Sequence, residues 1–210
     1  MKNLLLIVLG IAMLAVACKG KSSKKDTPIE SISDMKDYAD KVNEATKVSS
    51  DKWEERKAKG DTLAMPYAEL EAFLPDISGY NKDGDPKGSQ MNMPGMGSWS
   101  QAEQVYKNGD KQIKVEILDY NAAFQAFTAA TAIFKMGYSM EDDSKKQGSV
   151  DLGMKDVVAY QTIYKHDPRG ELAVVTGDRF FIQIESQGSN DPQLLSSIAK
   201  SIKLSELASK

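Results

Sequence analysis

The chain has one cysteine and one histidine in 210 residues, and each scarcity closes off a class of chemistry. A single cysteine, Cys18, permits no intramolecular disulfide. Catalytic and structural zinc sites draw on several Cys and His ligands, which this composition cannot supply. A Ser-His-Asp triad would have to use His166, in the turn-like stretch "YKHDPRG", and so would be built around an exposed hairpin tip. The segment "GSWSQ" around Ser98 and Ser100 is not the G-x-S-x-G elbow of a hydrolase. Neither G-x-G-x-x-G after a strand nor G-x-x-x-x-G-K-[ST] occurs, so phosphates lack a cradle. The chain reads as non-enzymatic, with no catalytic residue and no cofactor assigned. An excess of charge of one sign is also missing. There are 27 Lys and Arg against 30 Asp and Glu, a formal net charge of −3, and nothing recommends nucleic acid as a partner.

Long apolar runs are absent except at the start, "MKNLLLIVLGIAMLAVACKG". The run from Leu4 to Ala17 falls short of the ~20 residues that a membrane span needs, so residues 1–17 read as the core of a removed export signal. Small residues Ala15, Val16 and Ala17 lead directly to Cys18. This resembles the bacterial lipoprotein signal, in which the cysteine is acylated and becomes the first residue; Ala15 stands where that motif usually carries leucine. The alternatives are an ordinary secretory signal with an incidental cysteine, or a retained anchor. Lipidation (palmitate or a similar acyl chain) at Cys18 would make the membrane a partner, because two or more acyl chains anchor stably where one is marginal. Residues 18–28, with Lys19, Lys21, Lys24 and Lys25, cannot bury apolar surface and read as a flexible tether. Its lysines either approach anionic lipid or simply keep the spacer solvated. Lys19 is not the aspartate that marks inner-membrane retention in enteric-type envelopes, so the expected location is the bacterial cell envelope, with the outer membrane favoured.

Residues 29–60 carry a helical pattern: Ile29, Ile32, Met35, Ala39 and Val42 recur at spacings of three and four, and Pro28 suits a first turn. Ser49 and Ser50 interrupt the stripe, which allows one long helix or two consecutive ones. Residues 61–210 read as one α+β domain. A short helix is expected in "MPYAELEAFLPD", then a loop in "ISGYNKDGDPKGSQ", dense in Gly, Pro, Asn and Asp. Asn81, Asp83 and Asp85 alternate like the opening of a calcium loop, but Pro86 and Asn92 stand where such a loop needs Gly and Glu. "SWSQAEQVY" and "KQIKVEILDY" read as a hairpin turning at Asn108-Gly109 in type I′ geometry, with Ile113, Val115 and Ile117 on a buried face.

A helix with Phe124, Phe127 and Phe134 follows, then strand candidates at 138–146, 156–165 and 171–186, the last divided at Gly177-Asp178. Asn190 or Asp191 caps a closing helix whose apolar face is Leu194, Leu195, Ile198 and Ile202. The expected architecture is a two-layer sandwich: a mainly antiparallel sheet of about six strands, with helices on one face.

Two clusters bear on chemistry. Met91, Met93 and Met96 in "QMNMPGMGSW" form M-x-M-x-x-M; neutral thioethers suit Cu(I), and they equally fill apolar gaps beside a strand. Glu141, Asp142 and Asp143 cluster and Asp119 ends a strand; paired acids can run glycosidic chemistry, and adjacent acids in a polar stretch are commonly just solvated.

Leu74-Pro75, Gly79-Tyr80, the S-x-A-x-x-x-Y run of Ser100, Ala102 and Tyr106, then Asp119, Gly148 and Arg179-Phe180 before an amphipathic helix resemble a loose group of bacterial exported lipoproteins of unassigned activity, over roughly residues 65 to 205. The resemblance implies one domain and brings no ligand or catalytic residue. The function expected is therefore an anchored binding or scaffolding module with an envelope protein or small molecule as partner. Its competitors are soft-metal handling through the methionines and an enzyme of unrecognised type.

Overall fold

The computed structural model describes residues 32–93, 97–121, 131, 134, 137 and 139–210. The expected export signal, Cys18, the expected tether and Met96 lie outside the described residues, as does most of the segment 121–137 expected to form the phenylalanine-bearing helix. Two compact units divide at Asp37 and Tyr38. The described part of the first is the opening of helix α1 (Ile32–Ala58); all else below belongs to the second. Ser49 and Ser50 do not break α1. Ser49 is fully buried and its hydroxyl donates to Asp178 Oδ1 at 3.2 Å, so a residue that weakens the apolar stripe is spent on a specific bond.

The second unit is built on one antiparallel sheet of nine strands: β1 (Asn81–Lys82), β2 (Lys87–Met93), β3 (Gly97–Asn108), β4 (Lys111–Asp119), β5 (Ser139–Glu141), β6 (Lys145–Val150), β7 (Val157–Tyr164), β8 (Arg169–Thr176) and β9 (Phe180–Gln187). The order across the sheet is β1-β3-β4-β9-β8-β7-β6-β5, with β2 also paired to β3. After the β3–β4 hairpin the chain crosses to the far edge and returns strand by strand, so that β9 closes beside β4.

The expected strand count of about six is too low, for a physical reason. β1 and β2 arise from "NKDGDPKGSQ", whose Gly, Asn and Asp content marks a loop. An edge strand with solvated side chains needs only backbone pairing, and the long β3 supplies it. The 138–146 candidate also divides: Asp142 Oδ1 accepts the N–H groups of Ser144 and Lys145, both at 2.8 Å, closing the turn between β5 and β6.

Strand alternation gives the sheet two unlike faces. On the first, register aligns Ala102, Ile117, Ile182, Val174 and Ala159 in one row and Gln104, Val115, Ile184, Leu172 and Gln161 in the next. Ile113, Val115, Ile117, Leu172, Ile182 and Ile184 are all fully buried, each stabilising by about 1.5–3 kcal/mol. Helices α3 (Pro192–Ser201) and α4 (Leu204–Ala208) cover this face with Leu195, Ile198, Leu204 and Leu207. Of the two cap candidates, Asp191 is used, accepting from Gln193 N at 2.8 Å with Pro192 in the first turn. The strap 61–77, including α2 (Tyr67–Glu71), joins the same core through Met65, Leu70, Phe73 and Ile77.

Helical residues are not confined to one face, contrary to the two-layer expectation. Phe134 is helical and stacks on Tyr160 and Phe181 at centroid separations of 5.1 and 6.4 Å. Both rings alternate with buried neighbours and so belong to the second face.

Turn chemistry corrects one more expectation. β3 and β4 pair through Asn108 and Lys111, so the loop residues are Gly109 and Asp110, and only Gly109 has positive φ (57°). That excludes type I′, which needs positive φ at both positions. The double positive φ occurs instead at Gly177 (64°) and Asp178 (50°) between β8 and β9.

Candidate functional site

Two polar constellations stand out, and they have opposite characters. The first lies at one end of the sheet and is consumed internally. Asp119, fully buried, receives a bidentate pair from Arg179: Nε to Oδ1 at 2.8 Å and Nη2 to Oδ2 at 2.7 Å. The same carboxylate accepts Met65 N at 2.7 Å and Asn121 N at 2.9 Å. Arg179 Nη1 reaches Asp61 at 2.8 Å and the Lys210 carbonyl at 3.2 Å. Asn121 donates to Asp61 and Leu63 and accepts from Arg56 Nε at 2.7 Å. Arg56 Nη2 is buried without a hydrogen-bond partner. Burial, then the neighbouring Arg179, lowers the Arg56 pKa. Farther along α1, Lys52 pairs with Asp178 at 2.7 Å.

Several residues that carry the resemblance prove to be clamps on the strap. Ser100 Oγ donates to the Met65 carbonyl at 2.6 Å, and Tyr106 OH donates to the Pro75 carbonyl at 2.5 Å. Burial, with Asp76 adding, raises the Tyr106 pKa. Asp119, considered from sequence as an acid, is therefore engaged structurally; its partners among the described residues are donors from the strap, from Arg179 just before β9 and from Asn121.

The second constellation lies on the second face of the sheet, across β3, β4, β9 and β8. Lys114 Nζ sits 3.7 Å from Glu116 Oε2 and 3.4 Å from Glu185 Oε1. Register sets Glu103 directly opposite Glu116, and Glu171 directly opposite Glu185. Three carboxylates thus act on one ammonium, while Glu171, one strand farther on, lies 4.0 Å from Arg169 Nε; like charges facing across strands are unfavourable without such counter-charges. Glu116 is 5% exposed; burial raises its pKa, Glu103 and Glu185 raise it further, and Lys114 only partly opposes them. At Lys114 burial acts to lower the pKa, but Glu185, Glu116 and Glu103 outweigh it and the net shift is upward.

Trp99, Gln101 and Gln183 are half-buried on the same face. Toward β7, Tyr164 OH donates to Glu171 at 3.1 Å, and the Arg169 guanidinium lies 3.9 Å over the Tyr164 ring. Alternation in β4 sets Gln112, Lys114 and Glu116 on a face expected to be wet, and the structure corrects this at Glu116, which is buried; the cross-strand acid pairs were not legible, because register between distant strands is not written in local sequence.

The remaining candidates stay apart. Met91 is exposed and belongs to β2, not to a loop, with Met93 two positions on and Met96 outside the described residues. His166 is exposed in the turn between β7 and β8. Asp142 is held at about 2 by Ser144 and Lys145, and Lys165 lowers Glu141; both are turn ties on the surface. Asp83 pairs with Lys107 at 2.9 Å. Among the described residues no three His, Cys, Asp or Glu side chains are grouped to hold a metal, and no helix is long and apolar enough to cross a membrane. A depression of about 170 Å³ is lined by Asp156, Val158, Val175, Thr176 and Asp178. No protein-family profile matches the chain, and no curated protein does.

Proposed function

We propose that the protein is a lipid-anchored, non-enzymatic binding module of the bacterial envelope, held to the membrane through Cys18 and recognising its partner with the acid-rich second face of the sheet. The observation that carries the binding half of this reading is the cluster of Glu103, Glu116 and Glu185 around Lys114, continued across β8 by Glu171 opposite Glu185. Most other polar groups of the core tie the strap and α1 to the sheet. This cluster instead leaves a local excess of negative charge among half-exposed polar and aromatic side chains, which suits a cationic partner surface. The anchoring half rests on the small residues before Cys18 and the lysine-rich tether.

The test is crosslinking of the membrane-bound protein in cells followed by mass spectrometry. A reproducible protein partner supports the reading. Absence of any partner beside co-purifying copper that is lost when Met91, Met93 and Met96 are replaced by leucine would favour soft-metal handling instead. For the anchor, Cys18→Ser should move the protein to the soluble envelope fraction or leave it unprocessed; unchanged membrane retention with a processed terminus would remove lipidation from the account.

A further inference from the structure

The two edges of the sheet are protected very differently. At one edge β5 is three residues long and runs straight into the charged turn at Asp142 and Asp143, with Glu141 paired to Lys165 at 2.8 Å. Short length and charge are the usual guards against edge-to-edge association. At the other edge β2 runs for seven residues, "KGSQMNM", without proline and without an acid. Among the described residues it pairs only with β3, so its outward N–H and C=O groups form a ready ladder. All but Ser89 of residues 87–92 are exposed.

Exposed apolar side chains also lie by this edge. Only four large hydrophobic side chains are exposed among the described residues: Val48, Leu63, Tyr67 and Met91. Met91 is on β2 itself. Tyr67 packs over Gly88, where an added Cβ would collide with the ring. Leu63 precedes Ala64, whose N–H is held at 2.8 Å by Ser98 Oγ, which in turn donates to Asn92 of β2 at 2.5 Å. An unguarded strand with an apolar shoulder is the signature of strand addition.

We infer that β2 pairs antiparallel with β2 of a second copy of this chain, about a two-fold axis through Gln90. This is the one antiparallel register in which all seven residues find a partner: Lys87 faces Met93, Gly88 faces Asn92, Ser89 faces Met91 and Gln90 faces itself. The charge pattern favours a second copy as occupant. The only charged residue of β2, Lys87, falls opposite a neutral residue, so self-pairing brings no like charges together. The interface is isologous and closes at two, leaving β5 of each copy as a guarded outer edge.

The test uses the full chain carrying Cys18→Ser, purified in mild detergent, with mass followed by light scattering over a concentration series. The unaltered β2 should show mass rising to twice that of the chain. Gln90→Lys sets two lysines face to face across the axis, and Gln90→Glu two carboxylates; each should weaken dimerisation at least ~10-fold. Mixing the two variants should restore it, because opposite charges then meet. Gln90 is exposed, so neither change should alter thermal unfolding of the monomer. A monomer at every concentration would overturn the inference. So would a dimer indifferent to Gln90 charge, or a failure of the mixture to recover. If oxidation in cells of the Gln90→Cys variant traps a different protein and never a second copy, the edge serves a foreign strand and the self-pairing is wrong.

Discussion

At the scale of single residues the chain shows that a carboxylate's neighbours, not its position in the sequence, decide what it does. Asp119 and Glu116 lie three apart on β4, yet one is saturated by donors and the other is buried beside a single lysine with acids around it. Removing Arg179 leaves the Asp119 charge buried and unpaired, so Arg179→Ala should cost about 3–5 kcal/mol in chemical denaturation. A loss below about 1 kcal/mol would mean that water replaces the guanidinium.

Glu116 acts in the opposite direction. Its folded pKa is raised above the unfolded value, so the native state binds the extra proton, and stability falls as pH rises from the unfolded value through the raised one. Glu116→Gln should therefore stabilise the protein at neutral pH, with the gain vanishing below about pH 4. A gain of equal size at pH 3 and pH 7 would contradict the assigned cause. Alternation alone makes Lys114 a harmless surface residue. Its pairing makes Lys114→Ala cost about 1–3 kcal/mol at neutral pH, because Glu116 loses its only cation among the described residues. None of this was legible in sequence, since Glu103 and Glu185 approach Glu116 only through strand pairing.

At the scale of elements, legibility followed how strongly local patterning is enforced by burial. The alternation of Ile113, Val115 and Ile117 was read correctly because one face of β4 lies in the core. Ile117→Ala should cost about 2–4 kcal/mol, and a cost under 1 kcal/mol would mean the register in β4 is misassigned. The closing helix was legible from Asp191-Pro192 and its apolar spacing, because a cap and a stripe are both local. β1 and β2 were missed since nothing buried constrains their side chains, and composition then speaks only of turns. The hairpin turn slipped by one residue: Asn-Gly and Gly-Asp are both plausible turn pairs, and the strand register that chooses between them is set by β3, β4 and β9 together. The reading of α1 left one helix or two open at Ser49 because the partner of that serine, Asp178, lies 129 residues away.

At the scale of the whole molecule, the mainly antiparallel α+β class followed from strand content and turn spacing. The insertion of β9 between β4 and β8 did not, because a long-range pairing leaves no local mark. The strap, α1 and Lys210 converge on the Asp119–Arg179 pair at one end of the sheet, whereas the acid-rich face and the β2 edge are the surfaces proposed above for recognition and for self-pairing. The central claim is that the acid-rich face is the recognition surface of the membrane-bound protein, and site-specific photo-crosslinking in intact cells tests it most directly. A photoreactive residue at Gln101 or Gln183, both half-buried on that face, is compared with one at Asp110, at the exposed tip of the β3–β4 hairpin. The account predicts a discrete adduct with one envelope protein from Gln101 and Gln183, weakened when Glu103 and Glu185 are changed to glutamine, and none from Asp110. Adducts of equal yield from all three positions, or an adduct from Asp110 alone, would contradict it.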